Sequence, residues 1–136
     1  RKPENSDVPD LLRAWCAMWN ANDLTPVDSL FLGGDAATYF SSERKGLIRG
    51  GAALLDHHRG FGFVPGGKPT ESRLWLEDVR AMEAGGPNAF LVTATWGFDR
   101  GQGPSSAQRG PLTFVIVRTE AGLRIAHAHF ANDPAL

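Results

Sequence analysis

Cys16 is the sole cysteine among 136 residues, so no disulfide can close within the chain. It lies in an apolar run and reads as a small core residue, which points to a reducing compartment. No stretch reaches the roughly 18 consecutive apolar residues of a membrane helix, and Arg1-Lys2-Pro3-Glu4-Asn5 leads into no signal-like apolar segment. The expectation is a cytoplasmic protein with no membrane partner. An excess of one charge is also missing. Lys+Arg number 14 against 15 Asp+Glu, a net of −1, with no block of either sign, so no nucleic-acid partner is expected. Dinucleotide and phosphate-binding glycine motifs are absent, as are repeats and low-complexity tracts, and no cofactor is expected.

What is present fits one ordinary domain over residues 1–136, with 42% hydrophobic and 21% charged residues. Ser6 or Asp7 can cap a first helix, with Pro9 in its first turn and Leu11, Leu12, Trp15, Cys16 and Trp19 on one stripe. Asn20-Ala21-Asn22-Asp23 stops it. Thr25-Pro26 starts a short second helix through Val27, Leu30 and Phe31, which Gly33-Gly34-Asp35 breaks. Ala36 to Phe40 reads as a brief strand, Ser41 to Gly46 as a polar turn, and Ala52 to His58 as a third helix. The run Gly60 to Gly67 is a loop that carries Phe61, Phe63 and Val64. It reads as a connector partly lining a cavity mouth, with a hinged lid as the sharper possibility.

From Arg73 the period changes to two, with Leu74 and Leu76 on one face and Trp75 on the other. Gly85-Gly86-Pro87-Asn88 folds this strand back into Ala89 to Phe98, and Glu120-Ala121-Gly122 joins Pro111–Thr119 to Leu123–Phe130. Helices gather in the first half and strands in the second. That segregation predicts an α+β fold, with three N-terminal helices packed on a curved, mostly antiparallel sheet. The four late strands form a meander, and the early strand near Tyr39 is expected at an edge.

The motifs AWCAMWNANDL (14–24), LFLGGDAATYF (30–40), IRGGAALLDHH (48–58) and GLRIAHAHFAN (122–132), in this order, resemble the SnoaL-like branch of the NTF2-like superfamily. The resemblance implies a cone-shaped cavity between helices and sheet, and a homodimer through the outer sheet face. It does not fix a reaction, because cyclases, isomerases, dehydratases, kinase association domains and non-catalytic binders share the fold. Two departures narrow the field. The last two strands, Leu112–Arg118 and Leu123–Phe130, hold no Asp or Glu, which excludes a carboxylate base from them. The arginines of kinase association domains align with Phe130 and Phe114, so an anion clamped by those arginines is not expected.

His127 and His129 alternate with alanines and share one strand face. They read either as acid/base groups in the pocket or as half-buried interface residues, and parity alone does not choose. No metal site is expected, for want of a third ligand. His57 and His58 are about 100° apart on the third helix, so one of them faces the cavity, and His58 is the candidate. Tyr39 is its polar partner, able to steady an enolate oxygen. Trp15, Trp19, Phe61, Phe63, Trp75, Trp96, Phe114 and Phe130 are the candidate ligand wall, against the plainer reading of packed core. Asp23 and Asp35 read as turn and cap residues, and Asp56 lies on the third helix near the entrance. The expected function is binding of a small hydrophobic or aromatic metabolite, with or without cofactor-free cyclase, isomerase or dehydratase chemistry. A non-catalytic association module is the alternative.

Overall fold

The computed structural model describes residues 7–134; Ser6, one of the two expected caps, and Arg1 to Asn5 lie outside them. Helix α1 spans Val8–Ala21. The Asp7 carboxylate accepts from the Asp10 amide at 2.9 Å, Pro9 sits in the first turn, and Asn22 ends the helix in the left-handed region at φ 51°. Its stripe of Leu11, Leu12, Trp15, Met18 and Trp19 is buried. Helix α2 is short, Val27–Leu30, and α3 covers Gly51–Gly60.

The strands are β1 (Thr38–Phe40), β2 (Leu47–Arg49), β3 (Arg73–Glu83), β4 (Ala89–Asp99), β5 (Gln108–Thr119) and β6 (Gly122–Phe130). They form one curved six-stranded sheet ordered β2-β1-β6-β5-β4-β3. The late strands are the expected antiparallel meander. The early strand, however, is not at an edge: β1 runs parallel to β6, with Tyr39 opposite Ala128, and β2 forms the edge beyond it. At three residues β2 is too short to show any periodicity in sequence.

Two bulges bend the sheet. In β3 the register slips between Glu77 and Arg80, where Asp78 takes φ 52°; in β6 Ala126 is the extra residue, because Val115 pairs with His127 and Ile116 with Ile125. The core lies between the concave face and the helices and includes the fully buried side chains of Leu11, Trp15, Tyr39 and Phe114. No helix among the described residues is long and apolar enough to cross a membrane.

The glycine-rich run is held at its far end. Val64 donates to the Asn22 carbonyl at 3.0 Å, Leu24 donates to that of Val64 at 2.9 Å, and the Asp23 carboxylate accepts from Gly66 at 2.9 Å. Gly67 adopts φ 83°, and a Cβ there would lie 2.6 Å from the Ala21 carbonyl, so the close approach demands glycine. This docking makes the run a connector.

Candidate functional site

Strand alternation and helix stripes send most of the aromatic side chains into one volume. On β4, Val92, Ala94, Trp96 and Phe98 point inward, as do Leu112, Phe114 and Ile116 on β5. Trp15 meets Phe114 edge-on at 5.2 Å and stacks on Phe130 at 5.6 Å, while Tyr39 also stacks on Phe130, at 5.2 Å. Trp19 packs edge-on against Phe61, Phe63 and Phe98 at 5.1, 4.8 and 5.8 Å.

These rings nearly fill the cone. What remains is a slot of about 30 Å³, walled by Trp19, Tyr39, His57, Phe61, Leu74, Trp96, Phe98 and Phe130. Its rim is polar: Ser41, Ser42 and Glu43 from the β1–β2 turn, Arg100 after β4, and Gln108 at the start of β5. The slot has room for about one water molecule.

The candidate residues therefore separate into three groups. Tyr39, Trp19, Phe61, Trp96 and Phe130 line the slot. Trp15, Phe63, Phe114 and His58 do not; they belong to the packing behind it. Trp75, His127 and His129 lie on the outer sheet face, away from the cavity. The indole of Trp75 covers Gly97, donates to Glu77 at 2.8 Å and sits under the Arg109 guanidinium at 5.5 Å. His127 shares a 2.7 Å hydrogen bond with the Thr38 hydroxyl, and both strand histidines pack on Phe40. Their outward direction follows from the Ala126 bulge. Leu123 and Ile125 are buried before it and Ala128 and Phe130 after it, so inward parity passes from odd to even residues.

Both α3 histidines are buried, but His57 is the one on the cavity wall. His58 is fully buried and its Nδ1 donates to the Leu54 carbonyl at 2.7 Å, which leaves Nε2 as a bare acceptor with no partner among the described residues. Burial lowers its pKa to about 4, offset in part by the Leu54 bond. His57 is also lowered to about 4, by burial and then by the nearby Arg44. Burial pushes the Tyr39 hydroxyl well above its ordinary range, so it stays a proton donor.

The rim was not foreseen from sequence and is built by turn chemistry. Gln108 Nε2 donates to Glu43 Oε1 at 2.6 Å, and Arg100 Nη2 donates to Gln108 Oε1 at 2.9 Å and approaches Glu43 Oε1 at 3.4 Å. The Asp99 carboxylate accepts from the amides of residues 101, 102 and 103, fixing the loop beyond Arg100. Ser41 Oγ accepts from the Glu43 amide at 3.0 Å, and Asn132 donates to the Ser42 carbonyl at 3.2 Å. Arg100 could have been reached by extending the Trp96, Phe98 alternation by one step. Glu43 carries no such signal. Among the described residues no three or more His, Cys, Asp or Glu side chains are grouped to hold a metal ion.

No protein-family model matches this chain, and no curated protein sequence does. Solved structures match it closely in shape. An NTF2-like protein of unknown function from Pseudomonas putida KT2440 shares 16% identity over 97% of this chain and 88% of that one, with a TM-score of 0.78. A proposed calcium/calmodulin-dependent protein kinase type II association domain from Thiobacillus denitrificans shares 17% over 97% and 99%, with a TM-score of 0.78. A proposed dehydratase of the NTF2-like family from Streptomyces avermitilis shares 23% over 92% of each chain, with a TM-score of 0.75. At these identities the likeness is one of fold, and the fold is the NTF2-like cone.

Proposed function

We propose that this NTF2-like chain is a small-molecule-binding protein whose ligand is a planar hydrophobic ring system held in the slot between α1, α3 and the concave sheet. The observation that carries the reading is the wall itself: Trp19, Phe61, Trp96, Phe98 and Phe130 present ring surface, and Tyr39 and His57 set polar side chains among them. A ring enters by displacing the rim contacts and half-buried Phe61. Tyr39 then offers a hydroxyl donor and neutral His57 an acceptor or donor, depending on its tautomer.

Binding is preferred over acid/base turnover on physical grounds. With a pKa near 4, His57 is unprotonated at neutral pH and is a weak base, while Tyr39 is a weak acid. The dehydratase description of the Streptomyces avermitilis protein supplies only the reaction class to assay first. We further propose that two copies pair through the outer sheet face, where Phe40 and Leu47 are exposed next to His127 and His129.

Titration with 1-naphthol, read by tryptophan emission, tests the ligand reading. Saturable quenching is expected, weakened by Tyr39→Phe and strengthened by Phe61→Ala, which opens the entrance. No saturable change in either the native chain or Phe61→Ala would rule out a ring-binding slot.

A further inference from the structure

We infer that the rim of the slot is a carboxylate-reading subsite: the ring ligand carries a carboxylate that replaces Glu43 on Arg100 and Gln108. This rests on the ring-binding reading above and adds the charge of the ligand to it.

Arg100 is placed by the same alternation that builds the wall. Its guanidinium lies over the Phe98 ring at 5.0 Å, so its apolar face is satisfied by the cavity and its donors are turned to the rim. The carboxylate now opposite them is held loosely. Arg100 Nη2 is 3.4 Å from Glu43 Oε1, beyond the usual 2.7–2.9 Å of a charge-assisted bond, and both side chains are about half exposed. The stronger donor to Glu43 is Gln108, at 2.6 Å. An incoming carboxylate would take the same two donors, so the exchange leaves no donor unmet and releases Glu43 to water.

The surrounding charges favour that exchange. Arg44 also lies at this entrance, close enough to depress the His57 pKa, whereas Asp56 is paired with Arg59 at 2.8 Å. Among the described residues that line the slot and its rim, Glu43 is the one carboxylate. The two polar groups on the wall, Tyr39 and His57, are neutral and do not repel an anion. A monoanion fits better than a phosphate. The α3 end nearest the rim is its C-terminus, at His57 to Gly60, whose dipole disfavours concentrated negative charge. The arginine lies at the end of β4, not at the positions 114 and 130, where phenylalanines stand.

The experiment compares 2-naphthoate with 2-naphthalenemethanol, the same ring without charge, on the native chain, Arg100→Gln and Glu43→Gln. Naphthoate is expected to bind the native chain about tenfold more tightly than the alcohol, the scale of one charge-assisted contact. Arg100→Gln should remove that preference, read as the ratio of naphthoate to alcohol affinity within the variant. Glu43→Gln should tighten naphthoate several-fold and raise the ratio of naphthoate to alcohol affinity. Equal binding of the two ligands to the native chain overturns the carboxylate inference while the ring-binding reading stands, as does weaker naphthoate binding in Glu43→Gln. Binding of neither ligand to the native chain overturns both.

Discussion

At the scale of single residues, the two α3 histidines couple folding to pH. In the unfolded chain an imidazole titrates near 6.5, and in the fold both His57 and His58 titrate near 4. Between those values the unfolded chain binds more protons, so stability is full above about pH 6.5 and is lost as pH falls toward 4. For the fully buried His58 the shift amounts to roughly 3 kcal/mol. Urea midpoints should therefore drop steeply from pH 6.5 to 4, and His58→Leu should flatten the profile; an equal slope in that variant would show that the buried imidazole is not its source. Sequence reasoning found the histidine pair and the limit that adjacent helical positions cannot both line one cavity. It favoured the wrong member, because Leu54 lies three residues before His57 and four before His58, so both sit on the apolar side.

Among the elements, β6 decides most about the site. Its sequence, GLRIAHAHF, reads as a continuous alternation, and uninterrupted pairing from buried Ile125 would send His127 and His129 into the cone. The extra residue at Ala126 sends them out instead, where Thr38 and Phe40 receive them. Deleting Ala126 leaves Ile125-His127-Ala128-His129-Phe130 in regular alternation, so the histidines stay outside, Ala128 and Phe130 stay inside, and only the local bend is lost. The deletion is therefore expected to cost far less than Phe130→Ala, which removes a ring stacked on Trp15 and Tyr39 and should cost about 3–5 kcal/mol. Thermal unfolding of the two variants checks this, and a deletion as costly as Phe130→Ala would mean that the residues beyond the bulge do not keep their faces. Trp75 is a related case. A strand of period two tells that Leu74 and Trp75 differ in face, but not that Leu74 is the inward one.

At the scale of the whole molecule, one sheet serves two surfaces. The concave side is filled by rings to within a water-sized slot, and the convex side keeps Phe40, Leu47 and the β6 histidines in view of solvent. The pairing proposed for that outer face predicts a dimer in sedimentation velocity that Phe40→Glu shifts to monomer, with helix content unchanged by circular dichroism. A native chain that sediments as a monomer at all concentrations would remove the pairing.

The sequence alone determined the three helices, the early strand at Tyr39, the late four-stranded meander and the aromatic character of the interior, but not the short strand β2. These depend on caps, turns and periodicities written between near neighbours along the chain. It also placed Trp19, Tyr39, Phe61, Trp96 and Phe130 on the side they occupy. Tertiary structure alone decided how much of the cone stays empty, which way β6 turns its histidines, and that Glu43, Arg100 and Gln108 meet at the rim. Each of those depends on what stands opposite across a sheet or between loops up to 65 residues apart in the chain, and no local pattern records the partner.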